Sequence, residues 1–134
     1  MDTKQYLNQI YRIDDRIKSK VEQLNLLIPT SSMELSGDRV QSSPDLHSFE
    51  NQVLNYMDKT ENLKAEICSL QRLKDEVTAK INLIQNTDER LVLEFRHTLS
   101  KSWGDISEQL DLSERQVLRI YGKALKSMTK ILEG

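Results

Sequence analysis

The sequence predicts an all-α fold, and three observations support this prediction. The chain of 134 residues contains only four glycines and two prolines, whereas a β-sheet protein of this length needs many tight turns built from such residues. Charged residues make up 30% of the chain, and apolar residues recur at the spacing of amphipathic helices. We expect a long N-terminal helical hairpin or coiled-coil arm, followed by a C-terminal helix-turn-helix domain.

The first predicted helix carries one apolar stripe with polar residues between its positions. The stripe consists of Tyr6, Ile10, Ile13, Ile17, Val21, Leu24 and Ile28. Pro29 ends this helix, because proline lacks an amide donor and restricts the residue before it to extended conformations. The serine-rich segment that follows shows no apolar period, so we expect a loop over residues 29–45.

The second predicted helix has the strict repeat of a coiled coil. Its seam positions alternate between spacings of four and three from Phe49 to Ile84, and only Thr60 and Lys74 among them are polar. The seam would be about 53 Å long, against about 33 Å for the first helix, so the first helix cannot cover it. We therefore expect a homo-oligomer through the long helix 46–84. The alternative is that the C-terminal domain folds back over the seam.

Shorter helices are predicted in the last third of the chain, each beginning at a capping residue. Asn86 or Thr87 can cap the first of them, and Ser102 can cap the next. Ser113, with Gln116 three residues later, forms a capping box at the start of the final helix.

The last two of these helices have the spacing of a helix-turn-helix motif. Asp111-Leu112 between them is too short for anything except a turn, and two short helices joined in this way are typical of that motif. We therefore expect a two-helix coiled-coil arm over residues 1–85 and a helix-turn-helix domain over residues 86–134.

The final helix carries its positive charges on one side. Projected at about 100° per residue, five basic residues fall within about 80° of arc, opposite the apolar stripe. They are Arg115, Arg119, Lys123, Lys126 and Lys130. Residues 113–134 carry a net charge of +3 and residues 86–112 carry −3, although the whole chain carries only −2. A charged stripe opposite an apolar one is often only a solvated face.

Within a helix-turn-helix, however, a basic last helix is the element that meets phosphates and base edges. We therefore expect this helix to bind double-stranded DNA. The candidate DNA-binding residues are Ser113, Glu114, Arg115, Gln116, Leu118, Arg119, Lys123 and Lys126.

The stretch from Ser102 to Leu125 resembles the region 4 helix-turn-helix of bacterial sigma factors. The matching landmarks are Ile106, Leu110, Ser113, Val117, Ile120 and Ala124-Leu125. The preceding segment 88–96 resembles the helix that comes before this motif in sigma factors. Together with the long N-terminal helices and the Ser-Gly-Asp-Arg-Val-Gln-Ser loop, the chain is similar to small phage or prophage transcriptional regulators of low-GC Gram-positive bacteria, the ArpU and RinA type.

The resemblance implies promoter-DNA binding by the last helix and activation of phage late genes, with RNA polymerase as a further candidate partner. Housekeeping sigma factors commonly read the promoter with an Arg-Glu pair just after the capping position. The corresponding residues here are Glu114 and Arg115, in the opposite order. We therefore do not expect this chain to share the DNA sequence preference of those sigma factors.

Other classes of protein have little support in the sequence. The glycines are too scattered for a phosphate-binding loop, and His47 and His97 lack the spacing of metal ligands, so we expect no catalytic site, metal or cofactor. No apolar run approaches the roughly 20 residues of a membrane span, and we expect a cytoplasmic protein. The alternative function is a coiled-coil interaction module that docks a partner such as RNA polymerase without contacting DNA.

Overall fold

The computed structural model describes residues 1–27 and 46–134, and all regular secondary structure in these ranges is helical. The predicted all-α fold class is confirmed. The expected loop at 29–45 lies outside the described residues. The α-helices are α1 (Thr3–Asn8), α2 (Ile13–Leu27), α3 (Leu46–Ile81), α4 (Thr87–Leu93), α5 (Trp103–Leu110) and α6 (Glu114–Glu133), and a π-helical turn, Glu94–Thr98, directly follows α4.

The N-terminal apolar stripe is divided between two helices, so the prediction of one continuous helix is wrong. Residues 9–12 form a turn in which Arg12 has a left-handed backbone conformation, with φ of 49°. The Arg12 amide donates to Ser100 Oγ at 2.9 Å, and the Arg16 guanidinium donates to the Gln9 carbonyl at 2.8 Å. These hydrogen bonds satisfy backbone groups that a continuous helix would have paired internally.

The chain separates into two compact units. The first unit combines residues 1–16 with residues 70–134, and the second consists of residues 17–69. This division differs from the boundary expected at residue 85. The difference arises because the first sixteen residues pack with the last sixty-five, although they are distant from them in sequence.

Helix α1 and the turn after it complete the core of the first unit. The hydroxyls of Thr3 and Thr129 share a hydrogen bond of 2.5 Å that joins α1 to α6. The buried apolar residues of this unit are Leu7, Ile10, Ile13, Val77, Ile81, Ile84, Val92, Leu93, Ile106, Val117, Tyr121, Ala124 and Met128. Burying a large apolar side chain contributes about 1.5–3 kcal/mol, so the N-terminal residues stabilise the unit that contains α5 and α6.

The predicted coiled-coil seam lies in two environments. Its last positions, Val77, Ile81 and Ile84, are buried within the first unit. Lys74, the one cation of the seam, donates to Asp14 Oδ1 at 2.6 Å in that same unit. Packing within the chain therefore covers the C-terminal part of the seam. For this part, the structure agrees with the alternative in which the C-terminal domain, and not a second copy, covers the seam.

The second unit contains the first two thirds of α3 and most of α2. Lys20 Nζ lies 3.1 Å from Glu66 Oε2, which links the two helices. On α3, the apolar side chains of Val53, Leu54 and Met57 are 39%, 56% and 55% exposed. The first half of α3 thus presents an apolar surface to solvent.

Candidate nucleic-acid interface

The helices that form the candidate interface begin at the residues that the sequence indicates. Asn86, rather than Thr87, caps α4, and the Ser102 hydroxyl caps α5. At the start of α6, Ser113 Oγ accepts from the Gln116 amide at 3.2 Å, and Gln116 Oε1 accepts from the Ser113 amide at 3.0 Å. This reciprocal capping box fixes the first turn of α6 and satisfies two backbone donors.

The turn between α5 and α6 is closed by backbone hydrogen bonds. Asp111 has a left-handed conformation, with φ of 57° and ψ of 44°. Its amide donates to the Glu108 carbonyl at 3.3 Å, and the Leu112 amide donates to the Ser107 carbonyl at 3.1 Å. This Schellman pattern ends a helix and redirects the chain. It sets the direction in which α6 leaves α5.

Tyr121 anchors the inner face of α6. Its hydroxyl lies 2.9 Å from Nε2 of His97, and its ring meets Trp103 edge-on with centroids 4.8 Å apart. The Arg96 guanidinium lies 4.3 Å from the centroid of the Trp103 ring and donates to the Lys101 carbonyl at 3.0 Å. These contacts set the rotation of α6 about its axis, so that the face opposite Tyr121 points outward.

His97 is a neutral structural residue. Its side chain is only 4% exposed. Burial, with a smaller contribution from the Arg96 charge, lowers the pKa of His97 from 6.5 to about 4. Burial also raises the pKa of Tyr121. His97 and Tyr121 are therefore both uncharged near neutral pH. The sequence does not predict their contact, because the two residues meet only through tertiary packing.

The outer face of α6 carries five exposed cations. They are Arg115, Arg119, Lys123, Lys126 and Lys130. Across residues 1–27 and 46–134, none of the five forms an ion pair with a carboxylate. A row of like charges that forms no ion pair with the described residues creates a positive local potential that attracts a polyanion.

The structure brings all eight candidate DNA-binding residues to the exposed start and outer side of α6. The Ser113 hydroxyl and the Gln116 carbonyl oxygen are used in the capping box, so these two residues position the helix. Leu118 is apolar but 48% exposed, and it lies between Arg115 and Arg119 in the sequence. An exposed leucine amid cations adds an apolar contact point to a charged face.

No group of three or more His, Cys, Asp or Glu side chains within residues 1–27 and 46–134 is arranged to hold a metal ion. No helix in the described part of the chain has the length and apolar character needed to cross a bilayer.

Comparison of the chain with protein-family models, with curated proteins and with solved structures found no match. The structure itself shows an all-α chain in which two capped helices, α5 and α6, are joined by a short turn. The exposed face of α6 is basic, and its cations form no ion pair with the other described residues.

Proposed function

We propose that this chain is a sequence-specific DNA-binding transcriptional regulator. The row of exposed cations on α6, which form no ion pair within residues 1–27 and 46–134 and lie opposite the buried anchor Tyr121, carries the proposal. In helix-turn-helix proteins the second helix lies in the major groove of DNA, with its N-terminal residues at the base edges. The capped start and fixed rotation of α6 suit that placement.

The residues of the first turns have the chemistry to read bases. Arg115 and Arg119 can each donate two hydrogen bonds to a guanine edge, and Glu114 can accept from the cytosine amino group. Leu118 can contact a thymine methyl group. Later cations on the same face, such as Lys126, would neutralise phosphates and set the position of the helix without reading sequence.

The resemblance of residues 102–125 to sigma factor region 4 supports promoter DNA as the target. The wider resemblance to small phage or prophage regulators supports a role as an activator of late genes in the bacterial cytoplasm. Under this proposal, RNA polymerase is a further candidate partner.

The proposal is tested with a site selected from a random DNA pool and two alanine variants. Arg119→Ala should weaken binding to the selected site by about 1–3 kcal/mol, because a base contact is lost. Lys126→Ala should weaken binding to all sequences alike. It should also reduce the slope of log affinity against log salt concentration by about one, because one fewer counterion is released. Fluorescence anisotropy titrations at several salt concentrations measure both effects.

The control for these titrations is Lys18→Ala, which removes an exposed cation from α2 and should leave binding unchanged. If both α6 variants bind every DNA as the wild type does, α6 is not the contact surface.

The second candidate function is a protein-interaction module, and the exposed apolar residues of α3 favour it. Val53, Leu54 and Met57 lie on one helix, and exposed apolar patches commonly mark association sites. A salt-sensitive shift of DNA supports the regulator. Salt-insensitive self-association without any DNA shift supports the interaction module.

A further inference from the structure

Gly122 occupies the middle of α6 at a position where the protein itself does not require a glycine. Its φ angle lies outside the left-handed region, and in the described part of the chain a Cβ added there would meet no atom within 4 Å apart from the adjacent residues and backbone of α6 itself. Glycine in a helix interior destabilises the helix relative to alanine, because it loses more backbone freedom on folding. The packing of the described residues therefore gives no reason for this loss of helix stability.

The position of Gly122 on the helix surface suggests a different reason. It lies one turn after Arg119 and one turn before Lys126, both exposed and without an ion pair in the described part of the chain. Residues three and four positions apart are neighbours on a helix surface. The missing side chain therefore leaves the helix backbone accessible between two long cations.

We propose that Gly122 is the point of closest approach between α6 and the sugar-phosphate backbone of duplex DNA. This proposal rests on the proposed DNA-binding function. Glycine in a regular element often marks a place where a ligand or another backbone comes close. Without a Cβ, a phosphate can lie against the helix and be bound by Lys126, while Arg119 on the other side of Gly122 reaches the base edges. Each side-chain atom added at position 122 holds the duplex further from both cations.

The test uses Gly122→Ala and Gly122→Gln, which add one carbon and a long uncharged side chain. Both variants should raise the melting temperature by about 2–4 °C, because alanine and glutamine favour helix. The affinity for the selected DNA should nevertheless fall, by at least about threefold for alanine and about tenfold or more for glutamine. Stability and affinity thus change in opposite directions.

The control is Asn55→Ala at an exposed position of α3, which raises helix propensity outside α6 and should leave DNA affinity unchanged. Melting curves of all variants show directly whether each one folds. Wild-type affinity in both Gly122 variants, with Arg119→Ala still weakening binding, would overturn the role of Gly122 and leave the proposed function intact. Wild-type affinity in Arg119→Ala as well would overturn the proposed function.

Discussion

His97 Nε2 lies 2.9 Å from the Tyr121 hydroxyl, and the two rings stack with centroids 5.7 Å apart. This contact joins the π-helical turn after α4 to the inner face of α6. Because Tyr121 also meets Trp103 of α5, the three rings hold together the elements that present the basic face. The protonation state of His97 therefore bears on the stability of the whole first unit.

We expect the free energy of unfolding to fall as the pH is lowered from about 8 to 5. The folded-state pKa of His97 is about 4, below the value of 6.5 for an unperturbed histidine. Between these values the unfolded chain binds more protons than the folded one, so stability present above pH 6.5 is lost as the pH falls. Between pH 8 and pH 5, His97 should lower the free energy of unfolding by about 2 kcal/mol.

Urea unfolding at several pH values measures this loss, and His97→Gln is the comparison. The variant should be less stable near pH 8, where it lacks the imidazole packing, but its pH profile should be flatter. If the free energy of unfolding falls equally steeply in the wild type and the variant between pH 8 and 5, a group other than His97 is responsible.

Substitutions at Asp111 should follow the cost of its left-handed backbone, with φ of 57°. Asp111→Gly should stabilise the protein by about 0.5 kcal/mol, since glycine adopts this conformation freely and no negative charge remains at the α5 C-terminus. Asp111→Val should destabilise it by about 1–2 kcal/mol, because a β-branched residue is strained there. Asp111→Asn removes the negative charge but keeps a side chain that tolerates the left-handed conformation, so it separates the two effects. Thermal unfolding measures the relative stabilities of the three variants. An Asp111→Val protein as stable as the wild type would contradict the reasoning.

Leu7→Ala should destabilise the first unit by about 2–5 kcal/mol, because it empties a fully buried position. The matched control is Leu26→Ala on α2, where the side chain is 86% exposed and the expected change is within about 0.5 kcal/mol. Chemical unfolding of the two variants, followed by circular dichroism, makes the comparison. Similar stabilities would mean that α1 does not complete the core in solution.

We expect the chain to self-associate through the apolar surface of α3. Val53→Glu should weaken this association by about 100-fold or more, because an unpaired carboxylate would be buried in the contact. Leu83→Glu, at a position 60% exposed after α3, should leave it unchanged. Sedimentation equilibrium at micromolar concentrations reports the mass of each species. A monomeric mass for the wild-type chain would remove the basis of this prediction.

The starts of α4, α5 and α6 and the two faces of α6 were predictable from the sequence because both depend on residues close together in the chain. A capping box requires only Ser113 and Gln116, three positions apart, and the basic face requires only helical periodicity. The all-α class follows from the same local patterns. The prediction of which side of α6 is buried was correct because Val117 and Tyr121 occupy the apolar stripe.

The tertiary structure decided the features that depend on residues far apart in the sequence. The hydrogen bond from Arg12 to Ser100 accompanies the break between α1 and α2, and the ion pair of Lys74 with Asp14 occupies a predicted seam position. Periodicity cannot reveal such contacts, because an apolar stripe shows which face of a helix is buried but not which segment buries it. The sequence therefore determined where most helices lie and which way α6 faces, whereas long-range packing placed the first sixteen residues beside the last sixty-five.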